Sequence, residues 1–221
     1  MKLAPLLIAL ALGLTAAAPA LAHDAAFDAR IESLAHGWDH VNFEIRDKAA
    51  QAAAAAKLAA QADALAHQYP ARAEPLVWEA IALSTEAGAK GGLGGLALAK
   101  EAKGLLERAE RLNPAALGDG SVYTSLGSLY AQVPGFPVGF GDPAKARVYL
   151  LKGLAANPNG IDSNYFYADC LVRQGQYAGA IKALEKALAA PARPGREVAD
   201  RGRRAEAQAL LARARLKLRG G

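Results

Sequence analysis

A single cysteine, Cys170, occurs in 221 residues, so no intrachain disulfide can brace the chain in an oxidising compartment. Its place beside Leu171 on an apolar helical face marks it as a buried structural thiol, and no basic neighbour in sequence would activate it. No HExxH, no phosphate loop and no serine in a nucleophile elbow is present, which removes the commonest hydrolase and nucleotide signatures. Acid pairs such as Glu107 and Glu110 sit among Lys and Arg on a helix, the pattern of surface ion pairs at i, i+3 and i, i+4. The reading is a non-enzymatic chain without a cofactor. Past the N-terminus no apolar run is long enough to span a bilayer, because the alanine-rich stretch after Ala49 is broken by Lys57, Gln61 and Asp63. Excess positive charge is also confined to one segment: the formal charge is +5, but between Arg193 and Arg219 nine Arg or Lys stand against Glu197, Asp200 and Glu206.

What is present begins with an address. Met1-Lys2, the apolar run from Leu6 to Leu14 and Ala20-Leu21-Ala22 have the layout of a secretory signal peptide, with cleavage expected after Ala22. No cysteine follows that site, so lipid attachment is not expected. The mature chain is read as exported and periplasmic, with no access to nucleic acid and no membrane span.

The stretch from Asn164 to Pro191 explains the rest. Tyr167, Ala168 and Leu171, then Ala180, Leu184, Ala187 and Leu188, fall at helical spacing on either side of Gln174-Gly175-Gln176, a turn signal. The spacing predicts a helix hairpin. The order Tyr167, Ala168, Leu171, Gly175, Tyr177, Ala180, Leu184, Ala187-Leu188, Pro191 resembles the tetratricopeptide repeat (TPR), a module of about 34 residues. Gly175 suits the tight turn and Tyr177 packs across it, while Asn164 stands where the family usually has tryptophan. One hairpin cannot bury its apolar faces alone, so neighbours are required.

Three further pairs are legible. An alanine-rich N-terminal hairpin covers residues 24–70. A second unit, residues 75–114, has Trp78, Ile81 and Ala82 on one face and Ala102, Leu106 and Ala109 on the other, separated by a glycine-rich stretch from Gly88 to Gly95 that reads as a long flexible turn. Gly92, Gly94 and Ala97 match GxGxxA by letters, but no strand precedes them. A third unit, residues 119–158, starts its second helix at Asp142-Pro143, an N-cap and a first-turn proline. Between its helices, Val133 to Gly141 holds two prolines and three glycines, which forbid a helix, and two phenylalanines, Phe136 and Phe140, too apolar for an ordinary solvated loop. The fourth unit is 161–191, and 197–218 forms a capping helix with an apolar stripe at Ala207, Leu210, Leu211, Ala214 and Leu218. The expected fold is all-α, a TPR-like solenoid of stacked hairpins in one domain, residues 23–221.

Three stretches, VPGFPVGFGDPAKA at 133–146, NPNGIDSNYFYADCL at 157–171 and APARPGREVADRGRR at 190–204, resemble exported bacterial TPR proteins and, less closely, the T component of TRAP-type solute transporters. That similarity implies a protein or peptide partner, namely the periplasmic substrate-binding subunit, and a homo-oligomer. Those components are typically lipoproteins, and this signal lacks the cysteine.

Carried over by position from TPR arrays, the groove would be lined by Glu79 and Glu86, by Ser121, Thr124 and Ser128, and by Asp162, Tyr165 and Asp169. Phe136 and Phe140 in the loop, with Arg193, Arg196, Arg203 and Arg204 in the tail, are the other expected contacts, since guanidinium forks bind carboxylates bidentately. Within the tail, Asp200 and Arg204 are spaced for an i, i+4 pair. His36 and His40 are also spaced i, i+4, and with His23 they would supply three nitrogens to a metal. No cysteine or carboxylate pattern completes such a site, so no metal is assigned and solvated histidines are expected.

Overall fold

The computed structural model describes residues 25–220; the signal segment and His23 lie outside it. Among the described residues are α1 (Ala25–Phe43), α2 (Lys48–Gln68), α3 (Glu74–Lys90), α4 (Gly92–Leu112), α5 (Ser121–Gln132), α6 (Pro143–Ala156), α7 (Ile161–Arg173), α8 (Tyr177–Ala189) and α9 (Glu197–Arg219). No strand forms among them, only an isolated bridge between Gly135 and Gly141. The architecture is the expected helical solenoid.

Local chemistry sets the helix ends. Asp47 caps α2 by accepting from Ala50 N at 2.8 Å, and Asp142 caps α6 by accepting from the amides of Ala144 and Lys145, with Pro143 at the first turn. Between α7 and α8 the chain turns at Gly175, φ +73°, and Leu171 O accepts from both Gln174 N and Gln176 N. Only glycine takes that left-handed conformation at no steric cost.

Packing relies on small residues. In α2, Ala52, Ala55, Ala59, Ala62 and Ala66 are buried, at alternating spacings of three and four. This smooth stripe brings α2 against α3 in the most extensive helix pairing of the described residues. Between α5 and α6 the same effect comes from glycine. A Cβ on Gly127 would lie 2.6 Å from Leu150 Cγ, and one on Gly153 2.5 Å from Thr124 Oγ1. The glycine-rich stretch after Gly88 is not a long turn. α3 runs to Lys90 and α4 starts at Gly92, leaving Gly91 alone between them. Gly95 explains the composition, because a Cβ there would meet Ala87 O at 2.6 Å: the glycines let α4 leave close against the end of α3.

The core is a chain of clusters, one spanning α1 to α5, a second around Tyr130, Ala146, Leu150 and Cys170, a third joining α7, α8 and α9, and a small fourth of Ile161, Ala187 and Ala190. This is the quasi-one-dimensional pattern of a repeat array. Each odd helix from α3 onward packs backbone to backbone on the next odd one, whereas α4 and α6 meet only through side chains, Tyr149 and Lys152 donating to Glu110. The odd helices therefore form the inner row of a curved stack. α1 touches α3 at one end of that row and α9 at the other.

Candidate partner-binding surface

The residues expected in the groove divide into three groups. Glu79, 7% exposed, is turned away from the inner face, toward Asp63 and His67 of α2 and Glu101 and Arg108 of α4. Its Oε2 has no partner, and burial, reinforced by Asp63 and Glu101, pushes its pKa up to about 7. Thr124 is also buried, against Gly153 of α6. Glu86 is buried and ion-paired with Lys90 at 2.6 Å, at the edge of a shallow trough floored by Ala49, Ala52, Ala53 and Ala56. These three serve packing. Ser121 opens α5, its amide donating to Asp119 Oδ1 at 2.9 Å. Ser128, half-buried, accepts from Gln132 Nε2 at 3.0 Å.

Of the third group, Asp162 and Tyr165 are drawn into one ionic and aromatic network, and Asp169 forms a separate pair. Asp162 accepts from Arg193 Nη1 and from Arg203 Nε, each at 2.7 Å. Burial alone would raise its pKa, but the guanidiniums of Arg203 and Arg193 overcome that and hold it below the ordinary carboxylate value. Arg203 also reaches Glu206, and its guanidinium lies 4.6 Å from the Tyr165 ring and 4.7 Å from the Phe166 ring. Asp169 accepts from Arg173 Nε at 2.8 Å. Asp200 binds the backbone amide and Nε of Arg193, at 2.8 and 2.7 Å, in place of the expected bond to Arg204. Arg204 instead donates to Leu188 O and Ala190 O and so closes the end of α8.

Arg196 makes the longest connection in sequence. Its Nε and Nη2 form a fork with Asp39 of α1, at 2.8 and 2.7 Å, with Asp39 only 3% exposed, and the same guanidinium lies 5.6 Å from the Trp78 ring. Trp38, beside Asp39, donates from Nε1 to Thr85 Oγ1 at 2.9 Å and packs 6.2 Å from Trp78 between ring centroids. Phe43 rests on Gly202 and lies 5.4 Å from the Arg203 guanidinium. His36 and His40 face separate carboxylates, Glu32 at 3.9 Å and Glu44 at 2.7 Å. Among the described residues no group of three His, Cys, Asp or Glu side chains converges to hold a metal.

The loop between α5 and α6 is tied down. Gly139 N donates to Gly135 O, Gly141 N to Pro134 O and Asp142 N to Tyr130 O, at 3.1, 2.9 and 2.9 Å. Phe140 folds inward, edge-on to Tyr130 at 5.7 Å. Phe136 does not: it is 93% exposed, beside Val138 at 59%.

The fold superposes on the crystal structure of a thermophilic TPR protein from Thermus thermophilus with a TM-score of 0.53, over 83% of this chain and 91% of that one, at 20% identity. Residues 138–200 match the tetratricopeptide repeat family. The fold is a TPR solenoid. No curated protein matches the chain.

In this TPR array the inner row is α3, α5, α7 and α9, and α1 bridges its ends. Sequence reasoning missed that bridge: Trp38 and Asp39 were visible only as spacers between two histidines, and nothing local marks a carboxylate whose guanidinium lies 157 residues away. Beneath α1 remains a cavity of about 240 Å³ lined by Asp28, Ile31, Glu32, Ala35, Trp78, Leu117, Asp119 and Arg196. No described helix is long and apolar enough to cross a membrane.

Proposed function

We propose that the chain is a non-enzymatic periplasmic scaffold, released by cleavage after Ala22, that holds a protein partner. Phe136 carries this reading. A phenylalanine almost wholly in water, on a loop whose backbone is fixed by two internal hydrogen bonds and one to α5, is a preformed anchor. The TPR solenoid behind it supports the same function, since such arrays offer extended surfaces to other proteins. Phe136→Ala removes the anchor from a side chain that packs on nothing, so helical content should not change. Pull-down from periplasmic extract should lose a specific partner with this variant; an unchanged captured set would refute the role of the loop. N-terminal sequencing of the exported protein should begin at His23.

A second reading, an accessory of solute transport that contacts a substrate-binding protein or a small ligand, draws on the resemblance of residues 133–204 and on the cavity under α1. Its lining sets the Trp78 ring beside Asp119 and Arg196, an apolar wall with polar groups at its side. Native mass spectrometry of gently purified protein distinguishes the two: a retained metabolite favours the accessory, a copurified polypeptide the scaffold.

A further inference from the structure

α1 is lightly held for a helix of nineteen residues. Its pairing with α2 is less extensive than the pairing within any later hairpin, and its buried residues are Phe27, Leu34, Ala35, Asp39 and Val41. Its C-terminal half is fastened by Trp38, Asp39 and Phe43 to partners on the inner row. Trp38 meets Trp78 and Thr85 of α3. Asp39 takes the fork of Arg196. Phe43 fills space left by Gly202 of α9, where a Cβ would fall 2.1 Å from Phe43 Cδ1.

The seat is specific in shape and charge. Trp78 supplies a flat apolar wall, Gly202 a recess that fits a ring with the Arg203 guanidinium against its face, and Arg196 the positive charge that Asp39 answers. A helix fits it by presenting an acid and, one turn later, an aromatic residue, as Asp39 and Phe43 do. Helices dock in grooves through such i, i+4 anchors. A terminal segment that pairs only weakly with its neighbour helix is also the kind that opens without global unfolding.

We propose that the seat beneath α1 is a docking site for an acidic, aromatic amphipathic helix of a partner protein, and that α1 occupies it until the partner displaces it. The idea rests on reading the chain as a protein-binding scaffold. Phe136 lies on a different element, so capture through the loop reports on that reading whether or not the seat accepts a helix.

The test uses the intact chain and, as probe, a fluorescent peptide with the sequence of residues 25–43. Wild-type protein should bind it weakly because α1 competes. Asp39→Arg sets like charges against Arg196, frees the seat and should raise affinity at least tenfold. Asp39→Arg combined with Arg196→Asp rebuilds the internal pair with signs exchanged, and a probe that itself carries Asp39→Arg, matched to that seat, should bind it as weakly as the original probe binds the wild-type protein. No gain for the single variant overturns the proposal, as does a dimer that exchanges α1 between copies and leaves no peptide bound. Hydrogen exchange on the unmodified protein gives a reading free of any variant. The amides of α1 should exchange at least tenfold faster than those of α3, α5 and α7, and exchange of α1 only together with them also overturns it.

Discussion

Glu79 shows how one side chain can work against the fold that contains it. Its carboxyl is buried, with Oε2 unpartnered, and titrates near 7 in the folded chain against 4.5 for the ordinary group. Between those values the folded state holds a proton that the unfolded state has released, so this group's contribution falls as pH rises from about 4.5 to about 7. Asp162 has the opposite sign. Its lowered pKa gives a contribution present above the unfolded value and lost as pH falls through the folded one. Glu79→Gln should therefore raise stability at pH 8 by about 2 kcal/mol and flatten the decline above pH 4.5, measured by urea unfolding across pH. An unchanged pH profile would show that Glu79 is hydrated. Neither behaviour was legible in the sequence, where Glu79 sat at a groove position. The helical period placed it on α3 correctly, but not which face α2 and α4 would cover.

Between elements, close approach depends on residues with little or no side chain. α5 and α6 cross where Gly127 meets Leu150 and Gly153 meets Thr124, with gaps that no Cβ can enter unless its neighbours move. Gly127→Ala should cost about 1–3 kcal/mol through overpacking, read as a lower melting temperature with little change in circular dichroism. A neutral result would mean that the two helices separate freely. The docking of α9 on α7 turns on Asp162, which joins Arg193 to Arg203, the latter 5% exposed in its side chain. Asp162→Ala leaves a buried guanidinium with Glu206 alone and should cost about 2–4 kcal/mol in chemical denaturation. A loss below about 0.5 kcal/mol would place the network in solvent. At this scale the sequence was a good guide to the helices from Ile161 to Ala189, where Gly175 and the apolar spacing agree with the structure. It misled at Gly88 to Gly95, because glycine that permits a close helix crossing and glycine that permits a loop have the same composition. The arginines of the tail, expected as contacts to a partner, turn to this chain for a related reason: the carboxylates that bind Arg193, Arg196 and Arg203 include Asp162 and Asp39, which lie far away in the sequence.

Across the whole molecule, hairpins stack into a curved TPR array whose inner row is bridged end to end by the first helix. The stack was legible because repetition is a sequence property. The bridge was not, because it depends on curvature, the sum of small offsets at every interface. It also changes how the array can work: a partner that reaches the inner row at Trp78 and Arg203 meets α1 first. The direct measurement is the distance between spin labels on exposed positions of α1 and α9, Ser33→Cys and Arg201→Cys in a Cys170→Ser background. A first helix that bridges the row gives one narrow, short distance population in the free chain, which broadens and lengthens when Asp39→Arg is added. A broad, long distribution in the unmodified chain would mean that α1 never bridges the row.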